Sequence, residues 1–463
     1  MMLASQTERT CRLVTLGCKV NQYDTQHVKE TLEANGYREA CIGEPVALLI
    51  VNTCTVTHES DAKARQLIRQ LHRQSPGSAL VVMGCYATRA PEAIRGLPGV
   101  TKVVQDRTRL VEELAEFGVT RVAPGISRFD HHQRAFVKVQ DGCLLNCTFC
   151  IIPSVRPSLR SRPVEEIEAE VYRLVQHGHR EIVLTGIHLG HYGVDLSRGK
   201  PKGEWVRLWH LLDRLAEVPG TFRIRLSSLE AAEMRGELLE VVARNPRVVP
   251  HFHLCLQSGS DRILTHMKRR YRASSFLKRC DDLRRAIHLP ALTTDVIVGF
   301  PGETAADFQA TCRVARAAGF ARMHVFPYSP RRGTPAAEYA DQTPASVLAE
   351  RKAKLAELNR ELTNAFAQQL LGRNLEILVE GQEPSLPGHM QGTACRHLRA
   401  VLPGAADLQR TLVSVQTEHW DGERLHARPL RRALPLEQLR GPLHAETSIA
   451  LLASQESQPC CTA

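Results

Sequence analysis

No stretch of this 463-residue chain approaches the roughly 18 consecutive apolar residues that a membrane helix requires. Its opening, MMLASQTERT, has no apolar segment of the kind a secretory signal carries, so the expectation is a soluble, cytoplasmic protein. No internal repeat is visible, which sets aside repeat architectures. A convincing hydrolytic triad is missing, and so is a phosphate-cradling glycine loop. Ordinary side-chain hydrolysis and phosphoryl transfer therefore lack their apparatus. What the chain does have is cysteine, 14 residues of it. In a reducing cytoplasm that number points to metal binding or catalysis rather than to a disulfide framework. A hydrophobic content of 43% is enough for packed cores, and the length predicts about two to four domains. The net charge of +11 fits a polyanionic partner such as nucleic acid, although a plain basic protein would share it.

In the N-terminal third, 12–17 (RLVTLG), 46–52 (VALLIVN), 79–84 (ALVVMG) and 100–105 (VTKVVQ) read as short buried strands of a parallel sheet, apolar and β-branched. Helical stretches lie between and after them at 23–36, 59–74 and 106–118, the first ending at Gly36, which suits a C-cap. This alternation predicts a parallel α/β domain over 1–122. Cys18, Cys54 and Cys85 each fall at or just past the carboxyl end of one of the first three strands, the edge where ligands gather in such sheets. Any one of them could be a buried apolar cysteine. The repeated placement predicts that the three meet in space.

After residue 123 a second alternating run begins, with strands expected at 135–140, 181–184, 222–226, 250–255, 292–297 and 323–326. Helices are expected between them, for example at 164–177, 205–217 and 304–318. Six strand–helix repeats over 123–342 predict an open or closed β/α barrel, a fold that builds its sites at the carboxyl ends of its strands. The first of these strands runs into DGCLLNCTFC (141–150), a C-x3-C-x2-C pattern at Cys143, Cys147 and Cys150. Later strand ends bring Thr185-Gly186, Ser227-Ser228, Gln257-Ser258-Gly259, GFPGE (299–303) and Pro327-Tyr328-Ser329 to the same rim. In the blander reading many of these are ordinary turn residues.

Three thiolates do not saturate zinc, although a catalytic zinc with an open position remains compatible. A [4Fe–4S] cubane fits better: three thiolates hold three irons and leave the fourth free for a small molecule.

That motif, at the end of a first barrel strand, resembles the radical S-adenosylmethionine enzymes. TLGCKVNQYD (15–24), VNTCTVTHESDAKARQ (51–66) and VVMGCYA (81–87) are further similar to the methylthiotransferases within that superfamily. Together with HFHLCLQSGSDRILTHMKRRY (251–271), TDVIVGFPGET (294–304) and HVFPYSPRRGTPAA (324–337), they resemble the branch acting on N6-threonylcarbamoyladenosine at position 37 of tRNA. The sister branches carry other residues after the first Gly-Cys. The resemblance spans residues 12–340.

It implies two [4Fe–4S] clusters. The one on Cys143, Cys147 and Cys150 would bind S-adenosylmethionine and generate a carbon radical. The one on Cys18, Cys54 and Cys85 would present sulfur, methylated by a second S-adenosylmethionine, to C2 of the adenine. The implied activity is that of a transferase consuming two S-adenosylmethionine molecules per turnover. Its implied partners are a tRNA anticodon stem–loop, an electron donor and a sulfur source, with no membrane. Thr185 and Gly186 would meet the methionine end of the cofactor, and Gly299, Gly302 and Glu303 would pass near its adenosine, where missing side chains allow close approach. No catalytic side chain beyond the cluster ligands is implied. Phe149 is read as packing, and His188 and His191 as structural histidines. Basic groups at Lys268, Arg269, Arg270 and Arg272, at Arg331 and Arg332, and at Arg160 and Arg162 would flank the rim as an RNA channel. The alternatives are a methylthiotransferase for isopentenyladenosine or a ribosomal-protein aspartate, and a non-catalytic, metal-stabilised RNA-binding protein.

The C-terminal part reads as a long amphipathic helix at 346–372, within a connector 343–372, followed by a small β domain at 373–440 that resembles a TRAM module. The segment 387–401 lacks the Gly-Tyr and Asn-Tyr features of that module. The tail 441–463 is expected to be disordered, with Cys460 and Cys461 incidental. A second departure is Arg156-Pro157, where the family carries Arg-Gly. Proline fixes φ and removes an N–H, so the loop beside the cysteines is expected to run differently.

Overall fold

The computed structural model of the protein describes residues 9–130 and 132–430. Strands β1 (Arg9–Thr15), β2 (Tyr37–Glu39), β3 (Leu48–Thr53), β4 (Ala79–Gly84) and β5 (Val100–Val103) form an all-parallel sheet in the order β2-β1-β3-β4-β5. Every residue of β3 is buried, as a central parallel strand requires. The first helix runs Lys19–Ala34 and starts earlier than its sequence predicts. The reason is local: Cys18 holds the N-cap position without a side-chain cap bond, so the usual Ser/Thr/Asp signal is missing. The expected helix 106–118 is realised as Leu110–Leu114 and a 3-10 turn Ala115–Phe117. The short edge strand β2 has no counterpart in the sequence reading.

The central part contributes β6 (Arg134–Asp141), β7 (Arg160–Ser161), β8 (Glu181–Gly186), β9 (Arg223–Leu226), β10 (His251–His253), β11 (Ala291–Val298) and β12 (Arg322–Pro327). They pair as β7-β6-β8-β9 and β10-β11-β12. Isolated parallel bridges, Ile224 to Val248 and Leu229 to Leu254, carry the curvature from β9 to β10. No ladder returns from β12 to β6 among the described residues, so the barrel is open on one side. The N-terminal domain covers that side. Its helix Lys19–Ala34 packs on β6, with Tyr23 in the barrel core and Asp24 ion-paired to Lys138. Beyond β12, Arg331 donates to Thr55 Oγ1 at 2.8 Å and to Asp61 Oδ2 at 2.6 Å.

A helix Ala345–Gln368 leads to β13 (Asn374–Gln382), β14 (His389–Ala394), β15 (Arg399–Pro403), β16 (Leu412–Trp420) and β17 (Leu425–Pro429). These close into a small barrel in the order β13-β14-β15-β17-β16. It sits against the amino ends of the central strands: Val249, Ala291 and Ala321 belong to its hydrophobic core. A buried ionic knot fixes the joint. Glu181 accepts from Arg223 at 2.6 Å and from Arg225 at 2.7 Å. The two arginines donate onward to the carbonyls of Thr393 at 2.9 Å and Cys395 at 3.2 Å. The expected tail 441–463, with Cys460 and Cys461, lies outside the described residues. Among the described residues, no helix is long and apolar enough to cross a membrane.

Candidate active site

The contiguous cysteines lie on the loop that leaves β6, and backbone contacts pin it. Thr148 N donates to Met267 O at 3.2 Å, Thr148 Oγ1 to His266 O at 2.8 Å, and Ala336 N to Thr148 O at 2.9 Å. Phe149 packs edge-on against Phe300, closing one flank with Ile263 and Met267. Arg269 Nη1 donates to Cys147 Sγ at 3.1 Å, while its other nitrogen is ion-paired to Glu230. His188 Nδ1 lies 3.4 Å from Cys143 Sγ and its Nε2 lies 2.5 Å from Glu233 Oε1. Burial opposes its charge, but hydrogen bonds to the Cys143 sulfur and the Glu233 carboxylate more than offset this and push its pKa up to about 9. The stacked ring of His191 is instead lowered to about 4, first by burial and then by the neighbouring His188 charge. Burial raises the Cys147 thiol and pushes Cys150 up to about 12.

The dispersed cysteines are assembled by the sheet. Cys18 follows β1 and caps the first helix, Cys54 follows β3, and Cys85 begins the helix Cys85–Arg89 after β4. Two glycines make the turns. Gly17 has φ +115°, and a Cβ there would stand 2.8 Å from Cys54 Cβ. Gly84 has φ +98°, and a Cβ there would collide with Asn52 and the Thr53 backbone. Asn21 fastens the strand ends, donating to Leu16 O at 3.0 Å and Thr53 O at 3.1 Å. Thr53 Oγ1 in turn holds Met83 O at 2.6 Å.

The two trios adjoin. Cys85 packs against Ile151 and Val155, the residues that follow Cys150. Arg107 spans the same seam, with Nη1 3.7 Å from Cys85 Sγ and Nη2 donating to Val155 O at 3.1 Å. Arg156, almost wholly buried, donates to Asn21 Oδ1 at 2.8 Å, to Asp24 Oδ2 at 2.9 Å and to both oxygens of Asp141 at 2.7 and 2.6 Å. The loop with Pro157 thus turns the preceding arginine inward, between the N-terminal helix and the cysteine loop. Gly17, Gly84 and Asn21 were not singled out by sequence reasoning, Arg156 was noted only as a departure before Pro157, and Arg269 only as one of a basic group. The repeated Gly-Cys at 17–18 and 84–85 was the one signal that could have found the glycines.

Inside the open barrel is a cavity of about 570 Å³, lined by residues of β6, β8, β9, β10, β11 and β12. Lys19, next to Cys18, lines it from the N-terminal domain, and Glu380 and His397 from the C-terminal barrel. His253 and Asp295 of this lining, with Cys255, present ligand atoms within 4.8 Å of one another.

Of the other expected site residues, Thr185 is buried and Gly186 sits against Gln140, which also accepts the His188 N–H at 2.9 Å, so this pair adjoins the cysteine loop. The segment Gly299–Glu303 lies beneath the helix Ala345–Gln368. Gly299 N donates to Glu303 Oε2 at 2.9 Å, that oxygen meets Arg351 at 2.5 Å, and Gly302 N donates to Asp341 O at 2.7 Å. The Glu303 carboxylate is thereby engaged inside the fold. The expected RNA channel needs correction. Arg269 and Arg331 are buried, Arg162 is ion-paired to Glu170, and all three serve internal contacts. Lys268, Arg270, Arg272, Arg332 and Arg160 remain exposed. His188, expected to be merely structural, touches a cysteine sulfur.

Residues 10–105 match the family described as "Uncharacterized protein family UPF0004", and residues 137–315 match the radical SAM superfamily. The chain is 38% identical over 421 residues to the threonylcarbamoyladenosine tRNA methylthiotransferase MtaB of Bacillus subtilis (strain 168), covering 87% of this chain and 92% of that protein. It is 38% identical over 412 residues to the tRNA-2-methylthio-N(6)-dimethylallyladenosine synthase of Mycolicibacterium paratuberculosis (strain ATCC BAA-968 / K-10), covering 83% and 79%. Among solved structures it is similar to the radical S-adenosylmethionine methyltransferase TsrM from Kitasatospora setae, with cobalamin and a [4Fe-4S] cluster bound. The TM-score is 0.53 at 14% identity, covering 83% of this chain and 81% of that one, a likeness of fold alone.

Proposed function

The chain belongs to the radical S-adenosylmethionine methylthiotransferases, and from that premise we infer that it replaces the C2 hydrogen of N6-threonylcarbamoyladenosine, at position 37 of tRNA, by a methylthio group. It is a transferase that acts on tRNA and uses S-adenosylmethionine and [4Fe–4S] clusters. The observation that carries the reading is the juxtaposition of two three-cysteine sites, Cys85 packing against Ile151 and Val155, in a chain 38% identical to a threonylcarbamoyladenosine tRNA methylthiotransferase.

The donor sets fit cubanes better than single ions. Zinc–sulfur bonds of ~2.3 Å place tetrahedral thiolates about 3.8 Å apart. Among the described residues, the three-ligand groups drawn to within 4.8 Å are His188/His191/Glu233 and His253/Cys255/Asp295, and neither cysteine trio is that tight. Cys143, Cys147 and Cys150 would hold one cluster and Cys18, Cys54 and Cys85 the other. Bound there, the clusters with S-adenosylmethionine supply the electron, the hydrogen-abstracting power and the sulfur transfer that an inert aromatic C–H demands.

The chain's own residues set the stage. Arg269, oriented by Glu230, places positive charge on the Cys147 sulfur and so favours its anionic form. His188 does the same for Cys143, with Glu233 holding its ring. Phe149, Phe300 and Tyr328 exclude water from the loop's flank. Arg156 locks the N-terminal helix to the cysteine loop, so the two trios keep a constant relation. In this reading an electron donor, a sulfur source and a second S-adenosylmethionine meet the enzyme in the cytoplasm.

Mass spectrometry of tRNA nucleosides from a strain lacking the protein tests it. Loss of the methylthio-threonylcarbamoyl nucleoside, restored by the wild-type gene and not by a Cys147→Ala gene, is expected. An unchanged level would sink the reading, and loss of the dimethylallyl counterpart instead would assign the other relative's substrate.

A further inference from the structure

The cavity inside the open barrel is lined by three cations, and two of them are paired. Arg134 meets Glu380 at 2.9 Å, and Arg225 meets Glu181 at 2.7 Å. Asp295, the remaining carboxylate of the lining, faces His253 at 3.3 Å. Lys19 is the third cation; no described residue makes a hydrogen bond or a contact ion pair with its ammonium group, and Glu181 and Asp295 reach it only through space. A cation with no carboxylate in contact, in a concave site beside two other cations, is a site for an anion from outside.

Relatives named for a threonylcarbamoyl and for a dimethylallyl nucleoside reach the same 38% identity to this chain, so percentage identity does not select between them. Chemistry does. The threonylcarbamoyl arm ends in a carboxylate and a hydroxyl, whereas the dimethylallyl arm is hydrocarbon. We propose that Lys19 binds the carboxylate of the N6-threonylcarbamoyl group and thereby selects this substrate over adenosines with an uncharged N6 substituent. The proposal rests on the substrate reading above and adds the residue that enforces it. Position in the chain supports it. Lys19 directly follows Cys18, at the first turn of the helix Lys19–Ala34. In adenine, N6 and C2 flank N1 on the same edge of the base. An anchor beside Cys18 therefore holds the arm and, with it, presents C2 to the dispersed trio.

The test is binding, without turnover, to the reconstituted full-length enzyme. Three anticodon stem–loops are compared: the acid at position 37, its methyl ester, and plain adenosine. Wild type should prefer the acid over both others by about tenfold or more, the usual scale of a hydrogen bond to a charged group. Lys19→Met should bind all three alike, at the wild-type affinity for plain adenosine, and Lys19→Arg should keep part of the preference. A Lys19→Met protein that still favours acid over ester overturns the assignment. Uniform weakening of all three loops overturns it in favour of a backbone phosphate, and weakened S-adenosylmethionine binding with acid preference intact overturns it in favour of the cofactor's carboxylate. If the wild type itself is indifferent to acid, ester and plain adenosine, the substrate reading falls too, a result distinguishable because it needs no variant.

Discussion

The two cysteine trios of this protein are built by opposite means. Cys143, Cys147 and Cys150 share one loop of eight residues, held by the Thr148 hydrogen bonds and by Phe149. Cys18, Cys54 and Cys85 come from three strand ends, and they meet because β1, β3 and β4 are adjacent and in register. The loop trio depends on short-range backbone geometry, the dispersed trio on the whole N-terminal sheet. A fault in folding should therefore strike the dispersed site first, while a fault in the loop should leave that site standing.

The largest effects come from removing a ligand. Cys147→Ala and Cys54→Ala should each abolish methylthiolation and lower anaerobically reconstituted iron from about eight to about four per chain. Reductive cleavage of S-adenosylmethionine separates them: it should vanish in the first and persist in the second. Cleavage lost in both would mean that the trios do not act separately.

Next is the residue that joins them. Arg156→Met would leave Asp24 and Asp141 without their buried guanidinium partner, an expected cost of about 3–5 kcal/mol in urea unfolding. It should be the substitution that lowers iron at both trios. Gly17→Ala is gentler and selective. A side chain at φ +115° facing Cys54 Cβ at 2.8 Å should cost about 1–3 kcal/mol. Iron should fall only at the dispersed trio, with S-adenosylmethionine cleavage retained; equal loss at the loop trio would break the comparison.

The smallest expected effect on iron is at a position remote from the cysteine loop. Glu181, buried between Arg223 and Arg225, has its carboxyl held well below the usual 4.5: burial alone would raise it, and the two guanidinium groups more than reverse this. A carboxylate depressed in the folded state contributes stability that is fully present above its unfolded value and is lost as pH falls toward the folded one. Unfolding free energy should thus decline below about pH 4.5. Glu181→Gln should flatten that decline, measured by urea titrations between neutral pH and pH 3, without changing iron content at neutral pH.

Legibility in the sequence followed distance along the chain. The strands β3 and β4 announce themselves because buried parallel strands are continuous apolar runs. The edge strand β2 and the strand β14 did not, since YRE and HMQGTA carry no such run and pair only because neighbours present free edges. Arg269 and Arg331 looked like surface charge in a basic cluster, and only their burial against Cys147 and Asp61 shows otherwise. His188 was indistinguishable from any structural histidine until its ring was placed against Cys143.

By itself the sequence determined which atoms are available: six thiols in two sets of three, the strand ends that carry them, and the glycines that let the chain turn there. Those are properties of neighbouring residues, and covalent geometry constrains them. Tertiary structure alone decided that the two sets adjoin, that Arg156 bolts them together and that Lys19 faces a cavity with no carboxylate in contact. Each of these depends on packing between residues far apart in the chain, where burial and charge pairing belong to the surroundings and not to the residue.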